Sequence, residues 1–104
     1  MNVETTCTEL SPAEQAASVC RALGDATRWR VIELLASESR CACELQVAAG
    51  VPGNLLAHHL KVLREAGLIS RTRRGRWTDY RLEQGALVAL AQRLLAVGGG
   101  APRP

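Results

Sequence analysis

The feature of the sequence that most constrains the fold is a turn at residues 51–54, Val-Pro-Gly-Asn, between two helical segments. The first segment begins at about Cys41 or Ala42 and is stopped by Gly50, and Asn54 is predicted as the N-cap of the second. Apolar side chains recur at helical spacing in the second segment, at Leu55, Leu56, Leu60 and Leu63 together with His59. Two helices joined by a glycine-containing turn, with a basic region directly after the second, are typical of a helix-turn-helix.

A β-hairpin is predicted directly after this helix pair. Two extended segments, Leu68–Arg73 and Trp77–Leu82, flank Arg74-Gly75-Arg76, and Gly75 supplies the positive φ that a tight hairpin demands. A hairpin tipped with arginines after a recognition helix is typical of a wing that lies along phosphates or in a minor groove. The alternative is an ordinary solvated hairpin.

The charge of the chain is concentrated in the same region. Between Lys61 and Arg81 there are seven basic and two acidic residues, a net charge of +5, whereas the whole chain carries +3. The remainder is therefore acidic by two charges. This asymmetry favours a polyanion as the partner of the basic stretch, and a solvated charged face is the alternative.

Helix signals on both sides complete a mainly α-helical domain. Residues 11–14, Ser-Pro-Ala-Glu, are a strong start signal for a helix. This helix is predicted to run to about residue 23, where Gly24 ends it. Asp25 is placed to cap a further helix, and a last helix spans about residues 84–97. Phe is absent and aromatic residues make up 3% of the chain, so we expect a core of aliphatic side chains on packed helices.

The length of 104 residues allows one domain that is small for its own stability, so a homodimer is expected. We expect a flexible arm over residues 1–10, the domain over 11–97 and a disordered tail over 98–104. The last helix repeats apolar residues at Leu87, Leu90, Ala91, Leu94 and Leu95. This stripe packs either on its own domain or on a partner.

The sequence also predicts where the protein acts. No apolar run approaches the roughly 20 residues that a membrane span needs, and the polar, acidic N-terminus differs from a signal peptide. We therefore expect a cytoplasmic protein without membrane contact. In that compartment four cysteines are expected to be thiols or metal ligands rather than a disulfide framework.

Four stretches of the chain carry a resemblance to a known family. Residues 22–28, 41–45, 58–69 and 75–82 contain, in that order, Gly-Asp-Ala-Thr-Arg, Cys-Ala-Cys-Glu-Leu, His-His-Leu-Lys and Gly-Arg-Trp. Together they resemble the ArsR-type (ArsR/SmtB) metal-sensing repressors over roughly residues 12–97. The resemblance implies a winged helix-turn-helix with a two-stranded β wing, and a homodimer joined by the first and last helices. It also implies a repressor of double-stranded operator DNA.

Cys41 and Cys43 are the predicted sensing pair. Inside a regular helix two residues at this spacing point about 200° apart, but at a helix start, with Cys41 still extended, both sulfurs can turn toward one ion. The helix N-terminus favours thiolates there. The resemblance implies a soft-ion site at this position, for As(III)/Sb(III) or Cd(II)/Pb(II), whose binding releases DNA.

Two sulfurs are too few for a tight site, so a third ligand is needed. Arsenic sensors of the family can carry it three residues after the pair, where this chain has Gln46. Cys7 on the N-terminal arm is the predicted substitute, and the resemblance implies that it comes from the other protomer. Cys20 is the weaker candidate because it is expected to pack on the apolar side of the first helix.

The sequence disfavours two other functions and leaves a third open. A zinc site like that of the family's zinc sensors is disfavoured, because the last helix contains neither Asp nor His. An enzyme is disfavoured since no nucleophile–base pair, phosphate-cradling loop or paired carboxylate is evident. A thiol redox-responsive repressor of the same fold stays open, with a disulfide from Cys7 to Cys41 or Cys43 as its switch.

The predicted DNA contacts lie on the recognition helix and the wing. Asn54 is suited to an adenine edge, although capping is its alternative use. His58 and Lys61 follow along the same face, and Lys61 and Arg64 are expected at phosphates. Ala57 stands where the family often has Ser, so one polar contact is missing. The wing contacts are assigned to Arg73, Arg74 and Arg76.

Overall fold

The structure, a computed structural model, describes residues 10–99. Within this range five helices and three short strands follow in the order α1 (Pro12–Leu23), α2 (Ala26–Ser37), β1 (Arg40–Cys41), α3 (Ala42–Ala49), α4 (Gly53–Glu65), β2 (Ile69–Arg74), β3 (Trp77–Leu82) and α5 (Gln84–Val97). The predicted fold class, a mainly α-helical winged helix-turn-helix, is confirmed. Only residues 98 and 99 of the predicted tail lie within the described range. Cys7 lies outside it, together with all of the predicted arm except residue 10.

The first two helices begin at the residues that the sequence predicts. The Ser11 hydroxyl accepts a hydrogen bond from the backbone N–H of Glu14 at 3.1 Å, and the Glu14 carboxylate accepts one from the N–H of Ser11 at 2.9 Å. Asp25 caps α2 by accepting from the N–H of Arg28 at 3.1 Å. Each cap satisfies N–H groups that a helix start leaves without a partner.

The start of α4 differs from the prediction. The helix begins at Gly53 with Pro52 as its N-cap, so the predicted capping role of Asn54 is wrong. Pro52 adopts the extended angles φ −60° and ψ 150°, so the N-cap lies two residues earlier than expected. A Cβ at Gly53 would lie 3.3 Å from Oε1 of Gln46 on α3, so a side chain there would require the end of Gln46 to shift.

The predicted wing forms, and it is part of a three-stranded antiparallel sheet with the order β1-β3-β2. Arg74 pairs with Trp77 across the turn, where Gly75 has φ 61° as expected. The third strand, β1, was not predicted. Its two residues pair with Tyr80 and Asp79 of β3, and two residues are too few to show an alternating pattern.

The core lies between α2, α3, α4 and the sheet and is almost entirely aliphatic. Its largest fully buried side chains are Leu45, Leu63, Leu68 and Val31. By contrast α5 contains no fully buried residue, and Leu94 and Leu95 are 59% and 62% exposed. Cys20 is also exposed, so its predicted packing inside the protomer is wrong, because α1 packs on the core through Val19, Ala22 and Leu23.

A network of three polar side chains joins α1, α2 and α4. The Arg28 guanidinium donates to the carbonyl of Ala22 at 2.7 Å and lies 3.1 Å from Nδ1 of His59. Nε2 of His59 faces the Asp25 carboxylate at 3.9 Å. His59 is 7% exposed, which confirms that it packs inward, whereas His58 is exposed.

The imidazole of His59 is held in its neutral form. Burial lowers the pKa of His59 from its ordinary value, Asp25 opposes this shift, and the positive charge of Arg28 adds to it. Since Arg28 can only donate, Nδ1 has to accept, and protonation of the ring would break this contact. The unfolded chain takes up this proton near pH 6.5 and the folded chain only at lower pH. The free energy of unfolding therefore falls as the pH drops below about 6.5.

We predict that His59→Gln reduces the loss of stability on acidification. The free energy of unfolding, measured by urea denaturation at pH 7.5 and 5.5, should decrease less for this variant than for the parent, because the titrating group is gone. His58→Gln removes an exposed imidazole and should behave like the parent. An equal decrease in all three proteins would show that His59 is not the titrating group.

Candidate nucleic-acid interface and thiol pair

The outward face of α4 carries three of the residues predicted to contact DNA. Asn54, His58 and Lys61 are four and three positions apart and all exposed, so they form one strip along the helix. Because no side chain caps α4, the amide of Asn54 is not needed for a capping bond. Leu55, 42% exposed, lies outside the core in which the helical pattern had placed it.

Arg64 is placed differently from these three residues. It lies on the flank of α4 and is half-buried, and its Nε is buried with no hydrogen-bond partner among the described residues. Its guanidinium is therefore less available to a ligand than the ammonium group of Lys61, which is exposed. The phosphate contact assigned to Arg64 stays a prediction.

The wing presents its arginines at the tip of the hairpin. Arg73, Arg74 and Arg76 are all exposed, and Nε of Arg73 donates to the carbonyl of Gly75 at 3.3 Å. Nε of Arg74 donates to Oδ2 of Asp79 at 2.7 Å, and this contact raises the pKa of Arg74. The three guanidinium groups and the outward strip of α4 give the basic stretch an extended, exposed surface.

The two predicted sensor cysteines lie side by side where β1 passes into α3. Cys41 is the N-cap of α3, with the extended backbone angles φ −79° and ψ 164°, and Cys43 is the second helical residue. Their Sγ atoms are 2.6 Å apart. The Glu44 carboxylate accepts from the backbone N–H of Cys41 at 3.0 Å. The non-helical conformation of Cys41 is thus what brings the sulfurs to one side of the helix start.

The hydrogen bond between the two thiols holds the proton of Cys43 in place. The pKa of Cys43 is raised, first because of its hydrogen bond with Cys41 and then because of partial burial, and backbone N–H groups of Glu44 and Cys43 oppose the shift. The expectation that the helix N-terminus favours thiolates is therefore outweighed at Cys43. A ligand that binds both sulfurs has to displace this proton.

The donor set fits a soft, thiophilic ion but is incomplete in the described part of the chain. Two adjacent sulfurs are the ligand type that such ions prefer. Within residues 10–99, however, no group of three or more His, Cys, Asp or Glu side chains is arranged to hold a metal ion. Cys20 lies on α1 and is not part of the thiol pair, and Cys7 lies outside the described residues.

The thiol pair and one face of the wing line an open groove of about 520 Å³. Cys41 and Cys43 form one side, and Arg74, Trp77 and Asp79 of the hairpin form the other. Trp77 and Asp79 are not among the site residues that the sequence predicts. The alternation of side chains along β3 places both residues on one face of the hairpin. That face borders the thiols only because β1 pairs with β3, and this pairing is not predicted from the sequence.

Known proteins match both the sequence and the fold. The sequence model of the family described as "Bacterial regulatory protein, arsR family" matches residues 25–71. An uncharacterised helix-turn-helix-type transcriptional regulator of Methanocaldococcus jannaschii is 35% identical over 68 residues, which are 64% of this chain and 76% of that protein. An arsenic resistance transcriptional regulator of Pseudomonas putida is 42% identical over 65 residues, 62% of this chain and 51% of that protein.

A solved structure extends the likeness beyond the helix-turn-helix. The ArsR-like transcriptional regulator from a Rhodococcus species superposes with a TM-score of 0.79 at 30% identity, over 88% of this chain and 86% of that chain. The matched proteins are transcriptional regulators by name, not enzymes, as the sequence analysis expected. The match spans about half the length of the arsenic regulator. None of the described helices has the length and apolar character that crossing a membrane demands.

We predict that the wing arginines account for part of the salt dependence of DNA binding. Arg74→Ala combined with Arg76→Ala should weaken binding to a random-sequence duplex and flatten the slope of log K against log [KCl] by about 0.9 for each phosphate that the wing no longer neutralises. Arg21→Ala removes one exposed charge from α1, outside the basic stretch, and should leave the slope as in the parent. An unchanged slope in the wing variant would exclude the wing from the interface.

Proposed function

The chain belongs to the ArsR family of bacterial regulatory proteins, and from this membership we propose that it is a metal-responsive transcriptional repressor. In this proposal a homodimer binds operator DNA in the cytoplasm and releases it when a thiophilic ion is held by cysteine sulfur. The observation that carries the proposal is the pair of Sγ atoms, 2.6 Å apart, at the start of the helix that precedes the recognition helix.

The DNA-binding half of the proposal uses α4 and the wing. Asn54 and His58 face base edges in the major groove, and Lys61 lies toward the phosphates. Arg73, Arg74 and Arg76 contact the backbone beside the groove, and Arg64 has the least accessible guanidinium of the proposed contacts. The net charge of +5 between Lys61 and Arg81 supports this assignment because phosphate contacts supply a large share of the affinity for DNA.

The dimer half of the proposal uses the terminal helices. The apolar side chains of α5 are largely exposed in the protomer, with Val88, Leu94 and Leu95 each more than half exposed. An apolar helix face of this kind is expected to be covered by another surface. A second copy of the chain, packed through α1 and α5, satisfies this requirement for both protomers at once.

We predict that the protein sediments at about twice the 11.2 kDa mass of the chain at micromolar concentration. Leu94→Glu should shift it toward the monomer because a charge would replace an apolar contact in the interface. Val47→Glu places the same charge on α3 at a residue that is 84% exposed and should leave the dimer intact. A parent protein that sediments as a monomer would overturn the dimer.

The sensing half of the proposal assigns Cys41 and Cys43 as two ligands and Cys7, from the other protomer, as the third. When bound, As(III), Sb(III), Cd(II) or Pb(II) supplies strong bonds to thiolate sulfur. The arsenic resistance regulator of Pseudomonas putida is among the relatives that support a metal or metalloid inducer. For their part, Cys41 and Cys43 lose their thiol protons and fix the junction of β1 and α3. This junction is the start of α3, the helix that precedes the recognition helix.

The switch is tested with a duplex that the protein itself selects from a random-sequence pool. Under reducing conditions, arsenite or Cd(II) should produce sulfur-to-metal charge-transfer absorbance and release the duplex. A coupling of ~3 kcal/mol between the two sites corresponds to about a 150-fold loss of DNA affinity. Cys43→Ser should abolish this release and leave the affinity for DNA without the ion unchanged, because no cysteine lies in α4.

Cys20→Ser is the matched control, since it removes an exposed thiol from α1, and it should release DNA like the parent. Release at the same ion concentration by the Cys43→Ser variant would place the site elsewhere. Release by diamide alone, with no response to the ions, would favour the thiol redox switch through Cys7 instead.

A further inference from the structure

Cys41 of the thiol pair and Arg74 of the wing are connected through a single residue. Cys41 of β1 lies directly opposite Asp79 of β3 in the sheet. Arg74 of β2 lies opposite Trp77, two positions before Asp79 on the same strand. Because side chains alternate between the two faces of a sheet, these four residues share one face. It is the face that lines the groove shared by the thiols and the wing.

The contact between Arg74 and Asp79 is specific in its geometry. Nε of Arg74 donates to Oδ2 of Asp79 at 2.7 Å, as a diagonal pair across β2 and β3. A guanidinium bound through Nε keeps its two terminal nitrogens for a further acceptor. Asp79 thus fixes the direction in which Arg74 presents its remaining donors. The side chain of Asp79 is half-buried, whereas that of Arg74 is exposed.

Cys41 is itself constrained from two sides. It is the last residue of β1 and the N-cap of α3, and its N–H donates to Glu44. A change in the position of its sulfur therefore acts on its own backbone, and the backbone of Cys41 is paired with the strand that carries Asp79. No other residue stands between the thiol and the carboxylate across the described sheet.

We propose that Asp79 is a positioning residue that couples the thiol pair to the wing: it orients Arg74 for DNA, and binding at Cys41 alters that orientation. The inference rests on the proposed function, because it needs an ion at the thiols and DNA at the wing. It assigns a role to a residue that touches neither ligand.

The first test compares how strongly the ion weakens DNA binding in matched variants. Arg73→Ala and Arg74→Ala each remove one wing arginine, and both should bind the selected duplex more weakly. Arsenite or Cd(II) weakens DNA binding by a certain factor in the parent. In Arg74→Ala and Asp79→Ala this factor should be about five to ten times smaller, whereas Arg73→Ala should keep the factor of the parent. The double variant Arg74→Ala/Asp79→Ala should match Arg74→Ala alone, because Asp79 acts through that arginine.

The ion affinity of each variant, read from the charge-transfer absorbance, separates this inference from the proposed function. A parent protein that neither binds nor responds to the ions overturns both. A responsive parent whose Asp79→Ala variant keeps the full release factor overturns the inference alone. Loss of ion binding by Asp79→Ala also overturns it, since Asp79 would then belong to the ion site.

A second test needs neither DNA nor a variant of Asp79. The Nε–H signal of Arg74 in a ¹⁵N NMR spectrum reports its bond to the carboxylate. It should shift when arsenite or Cd(II) is added to the parent protein and stay in place in Cys43→Ser. The Nε–H signal of Arg73, which donates to a backbone carbonyl in the same hairpin, is the internal control. An Arg74 signal that does not move in the ion-bound parent contradicts the coupling.

Discussion

The guanidinium of Arg28 joins three helices, and the position of the recognition helix depends on it. Two of its nitrogens cap the end of α1 by donating to the carbonyls of Ala22 at 2.7 Å and Arg21 at 3.3 Å. The third faces the imidazole of His59 on α4 at 3.1 Å. The carbonyl of Arg21 also accepts from the N–H of Gly24 at 3.2 Å, so Arg28 adds to the backbone cap of α1 and at the same time contacts a second helix. Lysine lacks the planar fork that these three directions require.

The thiol pair depends on a similar departure from regular structure. Two cysteines at this spacing would point to opposite sides of a continuous helix. They meet because Cys41 ends a strand and Cys43 lies in the first turn of a helix, so the backbone changes direction between them. The strand that imposes this change is a member of the wing sheet. The geometry of the thiols and the geometry of the wing therefore have one origin, the pairing of β1 with β3.

Much of the fold could be predicted because its signals are local. Ser11, Asp25, Gly50 and Gly75 each mark a helix start, a helix end or a turn through their own chemistry, and the structure places each as predicted. The predictions are wrong where contacts with a distant part of the chain determine the local structure. Strand β1 exists only through its pairing with β3, and the exposure of Cys20 depends on how α1 packs. The N-cap of α4 is Pro52 rather than the predicted Asn54, at a point where the side chain of Gln46 from α3 lies close to Gly53.

The same distinction applies to the candidate site. The residues expected on the outer face of α4 and at the wing tip follow from helix and hairpin periods, and the exposure of Asn54, His58 and Lys61 agrees with those periods. The buried Nε of Arg64 and the groove with Asp79 could not be read from the sequence, since both depend on neighbouring elements. The periods establish which side chains are accessible, whereas their contacts with DNA or an ion stay predictions.

The order of the strands has a consequence for the behaviour of the protein in concentrated solution. β2 is an edge strand, and the backbone groups along its outer side are free to pair with another strand. Its residues 71–74 are Arg, Thr, Arg and Arg, all exposed. Positive charge along an open edge repels the same edge of a second molecule and so discourages β-aggregation. The arginines of the wing thus protect the sheet from self-association, and a neutral wing would lose colloidal stability as well as charge.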